Sequence, residues 1–219
     1  MADAATQRKN MVESQVRPSD VTDRRILRAM LEIPREAFVP AGMKGLAYSD
    51  TEVGMPGAGR RALLAPRTFA KLIQLAAPEA RDKVLDVGSL TGYSAAVLAR
   101  LSASVIALES DAGLAAAARN ACHGVEVKNV TVATGDLCAG VPDQGPYDVI
   151  VVEGAVDSAP ERLLAQLAEG GRLVAILGDA PPQRAVLWRR RGSSWDETPG
   201  FDAAAPVLPG FEQRAAFRF

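Results

Sequence analysis

The sequence predicts an α/β fold: a doubly wound, mostly parallel seven-stranded sheet covered by helices on both faces, with a helical N-terminal extension. Three observations predict it. From Lys83 onward, short β-rich runs alternate with Ala- and Leu-rich stretches of helical spacing, the pattern of parallel strands joined by crossover helices. The first of these runs passes through a glycine-containing turn into a helix. Two more β-rich runs, 185–190 and 213–219, follow the alternating part and predict a hairpin-like pair at the sheet edge. A break near Pro78 divides the chain into a mostly helical segment, 1–78, packed on a sheet domain, 79–219.

In chain order, a short helix around 11–16 ends at Pro18. Thr22 can cap a second helix, in which Ile26, Leu27, Met30 and Leu31 form one apolar face before Pro34 stops it. Three glycines and a proline make 54–59 an irregular loop, and 67–75 leads into the sheet as a helix. Strands are expected at 83–87, 105–109, 130–134, 149–152 and 172–177, separated by helices at 95–101, 112–121 and 159–168. Pro199 to Gly210 reads as a connection, with Phe201 and Phe211 as packing anchors near its ends.

Composition narrows the function classes. The 219 residues carry 25 basic and 26 acidic side chains, so the net charge of -1 provides no field for nucleic acid or an anionic membrane. The run Trp188 to Arg191 is the one local basic patch, and it reads as a solvated strand end. No apolar run approaches the ~20 residues of a membrane span, and no leader is visible, so a cytoplasmic location is expected. With one histidine and two cysteines, Cys122 and Cys138, lacking zinc-ligand spacing, no metal site is expected.

The chemistry-bearing constellation begins at Asp86-Val87-Gly88-Ser89-Leu90-Thr91-Gly92-Tyr93. Gly88 permits a tight turn at the carboxyl end of a strand, Gly92 lets the helix start close to a ligand, and Asp86 can accept from an ammonium or hydroxyl group. Glu109 and Ser110 follow about 20 residues later, where an acidic side chain grips the hydroxyls of a ribose. Gly135-Asp136-Leu137 succeeds the third strand, where an Asp can accept from an adenine amino group, and Glu153 ends the fourth. The order of these elements resembles that of class I methyltransferases, which implies S-adenosylmethionine as cofactor and Asp86, Gly88, Ser89, Leu90, Gly92, Tyr93, Glu109, Ser110, Gly135, Asp136, Leu137 and Glu153 as its candidate contacts.

The front part narrows the resemblance. Met11-Val12-Glu13, Ile33-Pro34-Arg35-Glu36-Ala37-Phe38-Val39-Pro40 and Ala47-Tyr48-Ser49-Asp50 resemble, in order, the N-terminal elements of protein-L-isoaspartate O-methyltransferases. The resemblance implies carboxyl methylation of isoaspartyl residues in peptides or proteins, as the first step of repair. The chain also departs from the family. A third glycine common in the cofactor turn is Leu90 here, and the substrate loop's Thr-Ile-Ser is Ala62-Leu63-Leu64, without hydroxyls to position a carboxylate.

Arg60, Arg61 and Arg67 flank the altered loop and, with Leu64, are the substrate-loop candidates. An arginine there can hold an acceptor carboxylate by a bidentate fork, or serve as a surface charge. Glu153 and Asp157 stand where the family has small or neutral residues. Glu153 either orients a different acceptor, such as a cationic or hydroxyl-bearing small molecule, or is a strand-end carboxylate bonded to backbone. A methyltransferase with a changed acceptor and a non-catalytic scaffold therefore remain beside the isoaspartyl reading.

Overall fold

The computed structural model describes residues 3–212. Seven strands form one sheet: β3 (Lys83–Val87), β4 (Ser104–Glu109), β5 (Val130–Thr134), β6 (Tyr147–Val156), β7 (Leu167–Leu177), β8 (Arg184–Arg191) and β9 (Ser194–Asp202). Their spatial order is β5-β4-β3-β6-β7-β8-β9. β3 pairs in parallel with both β4 and β6, β5 and β7 continue the parallel part, and β8 and β9 are antiparallel. The chain leaves β3 toward one edge and later resumes beside it at β6, so the strand order reverses there. In open α/β sheets the carboxyl ends at such a reversal form the ligand crevice.

Both sheet faces are buried, which is why the inner strands read as continuous apolar runs. One layer joins Val84, Val105, Val149 and Val174 to the N-terminal residues Met11, Val16, Ile26, Met30 and Phe38. The opposite layer holds Leu85, Val87, Ile150, Leu163, Leu173, Trp188 and Leu208. The N-terminal extension consists of α1 (Ala4–Met11), continued by a wider helical turn at Val12–Val16, and α2 (Arg24–Glu32). A two-stranded hairpin, β1 (Val53–Gly54) and β2 (Ala62–Leu63), precedes α3 (Pro66–Ala76). The crossovers are α4 (Tyr93–Leu98), α5 (Ala112–Gly124) and the single turn α6 (Glu161–Leu164).

Several expectations are corrected. The cap of α2 is Asp23, whose carboxylate accepts the Arg25 N-H at 2.8 Å, because Thr22 lies one residue too early. The helix expected over 159–168 is only α6, since Leu167 already pairs with Tyr147 in the sheet. The partner of β8 is β9, and the four residues 199–202, expected in a connection, belong to it. The run 213–219 expected for that role lies outside the described residues. The hairpin of β1 and β2 was not foreseen, its strands being two residues each.

The remaining sequence signals resolve locally. Trp188 is fully buried and its indole N-H donates to Glu197 at 2.8 Å, while Arg191 pairs with Asp196 across the β8–β9 turn. Phe201 lies under the Lys71 ammonium at 4.5 Å, and Phe211 packs on the second apolar layer. Both cysteines are free, and among the described residues no helix is long and apolar enough to cross a membrane and no acidic, Cys or His cluster has the makings of a metal site.

Candidate active site

Asp86 sits at the carboxyl end of β3, fully buried; its Oδ2 accepts the Ser94 hydroxyl of α4 at 2.6 Å, and its Oδ1 has no hydrogen-bond partner. The next residues turn sharply. Gly88 has φ +82, a left-handed value that favours glycine, and its N-H donates to the Leu108 carbonyl at 2.9 Å. A Cβ on Gly88 would lie 3.0 Å from a methyl carbon of Leu208. Leu90 also has positive φ, +50, and its side chain is buried, so the third-glycine position carries a leucine in a backbone state that costs a leucine energy. Gly92, expected to let the helix start close to a ligand, packs against α5: a Cβ there would lie 3.1 Å from Ala118 and 3.3 Å from the Cys122 sulfur.

Glu109 ends β4 with no exposure, and its carboxylate is crowded with donors. Oε2 accepts the Leu90 N-H at 2.9 Å and an Arg61 N-H at 3.0 Å. Oε1 lies 2.8 Å from the other terminal nitrogen of Arg61 and accepts from the Asp111 N-H at 2.9 Å and the Ser110 hydroxyl at 3.3 Å. Arg61 thus forms a bidentate fork on Glu109 and is itself only 6% exposed.

The other arginine candidates stay outside. Arg67 pairs with Asp50 at 3.1 Å, and Arg60 is exposed on the rim of an open cleft beside Glu52 and Gln183. Ala62, Leu63 and Leu64 are buried. At the neighbouring strand tip, exposed Asp136 accepts the Cys138 N-H at 3.1 Å, Gly135 donates to the Glu109 carbonyl at 3.0 Å, and Leu137 is buried. The ring of Tyr93 packs on Phe38 and Phe69 at 5.7 Å each, as a core residue of α4.

Three contributors escaped the sequence reading. Arg35, fully buried, donates to the Leu64 carbonyl at 2.8 Å and lies 4.6 Å over the Tyr93 ring. Ser94 holds Asp86. Leu208 covers Gly88 and also Gly154, where a Cβ would come within 2.5 Å of it. The signal for Arg35 was present, since a charged residue inside "PREAFVP" is odd unless buried against partners. Nothing in a lone leucine marks Leu208.

The buried carboxylates influence one another. Burial pushes Asp86 up to about 7, opposed by the Ser94 hydroxyl and reinforced by the Glu109 charge. Glu153, whose Oε1 has no hydrogen-bond partner, is raised well above the usual range by burial and then by Asp86, with Arg35 pulling it back. These groups keep protons in the folded state that the unfolded chain releases above about pH 4. Folding stability therefore falls as pH rises from about 4 through about 7. We expect the wild-type Tm to be lower at pH 8 than at pH 5.5, and Asp86→Asn to flatten that slope; calorimetry that finds equal wild-type values would contradict the assignment.

A family model described as protein-L-isoaspartate(D-aspartate) O-methyltransferase matches residues 6–198. The chain is 39% identical to a protein-L-isoaspartate O-methyltransferase of Koribacter versatilis, over 89% of this chain and 86% of that one. It is 38% identical to one from Methylorubrum extorquens, over 95% and 91%. A solved protein-L-isoaspartate O-methyltransferase superimposes with a TM-score of 0.81 at 27% identity, over 93% of this chain and 66% of that one. A Plasmodium falciparum structure described as a complex with S-adenosyl-L-homocysteine shares the fold, with a TM-score of 0.76 at 19% identity and 95% and 99% coverage.

Proposed function

Because the chain belongs to the protein-L-isoaspartate(D-aspartate) O-methyltransferase family, we propose that it is an S-adenosylmethionine-dependent methyltransferase for the side-chain carboxylate of isoaspartyl residues in proteins or peptides. The observation that carries the reading is Asp86. A carboxylate buried at the strand-order reversal, with one oxygen lacking any partner, is an acceptor in need of a donor, and the ammonium of the cofactor supplies one. Glu109 and Asp136 at successive strand tips have the chemistry for ribose hydroxyls and an adenine amino group, and the turn after β3 orients Glu109 through the Leu90 N-H. The acceptor set therefore fits, although Glu109 is also engaged by Arg61.

When bound, the cofactor supplies a methyl group on a positively charged sulfur. The chain's own task is to hold and dry the acceptor, because a carboxylate is ionised at neutral pH and needs no general base. The buried loop 62–65 supports the drying role, its shape held through the Arg35 bond to Leu64. Burial holds the Glu153 carboxyl well above the usual carboxylate range, with Arg35 opposing, and this weakens the repulsion that an ionised group would exert on a carboxylate acceptor.

The test is transfer of a labelled methyl group to an isoaspartyl peptide, with the aspartyl peptide as control; incorporation into neither would refute the acceptor. Leu64→Ser is expected to raise kcat/KM for the isoaspartyl peptide roughly 10- to 100-fold, since a hydrogen bond to a charged group contributes about 1.5–3 kcal/mol. No gain in a folded variant would show that the loop does not touch the acceptor. A non-catalytic scaffold is the second reading, favoured by the saturation of Glu109. It predicts no calorimetric heat with S-adenosylmethionine at millimolar concentration.

A further inference from the structure

We propose that Arg61 is an internal occupant of the nucleoside grip, a gate that a ribose must displace before Glu109 can hold it. The proposal rests on the cofactor reading above and adds a residue that sets cofactor affinity. Its basis is the completeness of the Glu109 shell. A carboxylate offers about four lone-pair sites, and here two Arg61 nitrogens, two backbone N-H groups and the Ser110 hydroxyl already address them. A diol has no free oxygen to donate to while the fork is in place.

The fork is built so that it can leave. Arg61 ends the short segment that links β1 to β2, whose pairing has only two registered partners, Val53 with Leu63 and Gly54 with Ala62. Gly57 and Gly59 in that segment have φ of +82 and +65 and nothing within 4 Å of a notional Cβ, so open space adjoins the segment, while its backbone stays held by the Met55 N-H to Arg61 carbonyl and Arg61 N-H to Ala58 carbonyl bonds and the departure falls to the Arg61 side chain. The guanidinium is also imperfectly satisfied, for its buried Nε has no hydrogen-bond partner. After departure Glu109 keeps the Leu90 and Asp111 N-H groups, which hold the carboxylate oriented for hydroxyl donors. Arg60 and Arg67 cannot substitute, being on the rim and paired with Asp50.

The test is calorimetry with S-adenosylhomocysteine on wild type and Arg61→Gln, each checked for folding by circular dichroism melts. We expect Arg61→Gln to bind at least about 10-fold tighter, the effect of removing roughly 1.4 kcal/mol of competition. Equal or weaker binding by the folded variant overturns the gate and leaves the cofactor reading standing. Binding by neither protein at millimolar ligand overturns the cofactor reading, and the gate with it. If Arg61→Gln does not fold, the side-chain 15N resonances of Arg61 in the wild type decide: they should shift and broaden on saturation, and unchanged signals overturn the proposal.

Discussion

Glu109→Ala is expected to destabilise the fold by about 3–5 kcal/mol, the range for leaving one partner of a buried ion pair uncompensated. The guanidinium of Arg61, 6% exposed, would lose both oxygens it bonds, and the Leu90 and Asp111 N-H groups would lose an acceptor. Arg61→Met combined with Glu109→Ala should recover much of the loss, because a buried pair removed together leaves no stranded charge. Urea denaturation of the two single variants and the double variant measures the coupling. A single-variant cost below about 1 kcal/mol would mean that water reaches the pair freely.

Arg35→Ala is expected to cost a similar amount, about 3–5 kcal/mol, for different reasons. It removes the donor to the Leu64 carbonyl, empties the space over the Tyr93 ring and withdraws the positive charge that offsets Glu153. Lysine should restore little, since an ammonium has neither the planar stacking face nor the fork of a guanidinium. Urea midpoints give the stability loss, and amide exchange at residues 63–65 should accelerate in Arg35→Ala beyond its global effect. Exchange that rises uniformly across the chain would deny Arg35 a specific hold on this loop.

Much of the sheet was legible because buried parallel strands announce themselves by composition: the stretches around Val84, Ile106, Val149 and Leu173 have few polar residues and break at Gly, Asp or Ser. The edge was not. The strand carrying Glu197 and Phe201 is largely exposed and contains Pro199 and Gly200, which weigh against a strand unless the strand lies at an edge. At the candidate site, residue types at the strand tips could be read, but their partners could not. Arg61 and Glu109 are 48 positions apart, and nothing local distinguishes Arg61 from Arg60 beside it. At Gly92 the sequence cannot tell a ligand from the helix α5 that packs behind it, because a glycine records that space is needed and not what fills it.

Leu208 completes the wall against Gly88 and Gly154, and its N-H and the carbonyl of Pro206 both bond to Ala155. Residues separated by some 120 positions thus share one surface. During synthesis the turn at Gly88 leaves the ribosome some 120 residues ahead of its cover, so a chain halted between the two would lack the Leu208 cap. Chaperone engagement should concentrate in that interval, and nascent chains halted before Leu208 should be more prone to aggregate than chains released after it.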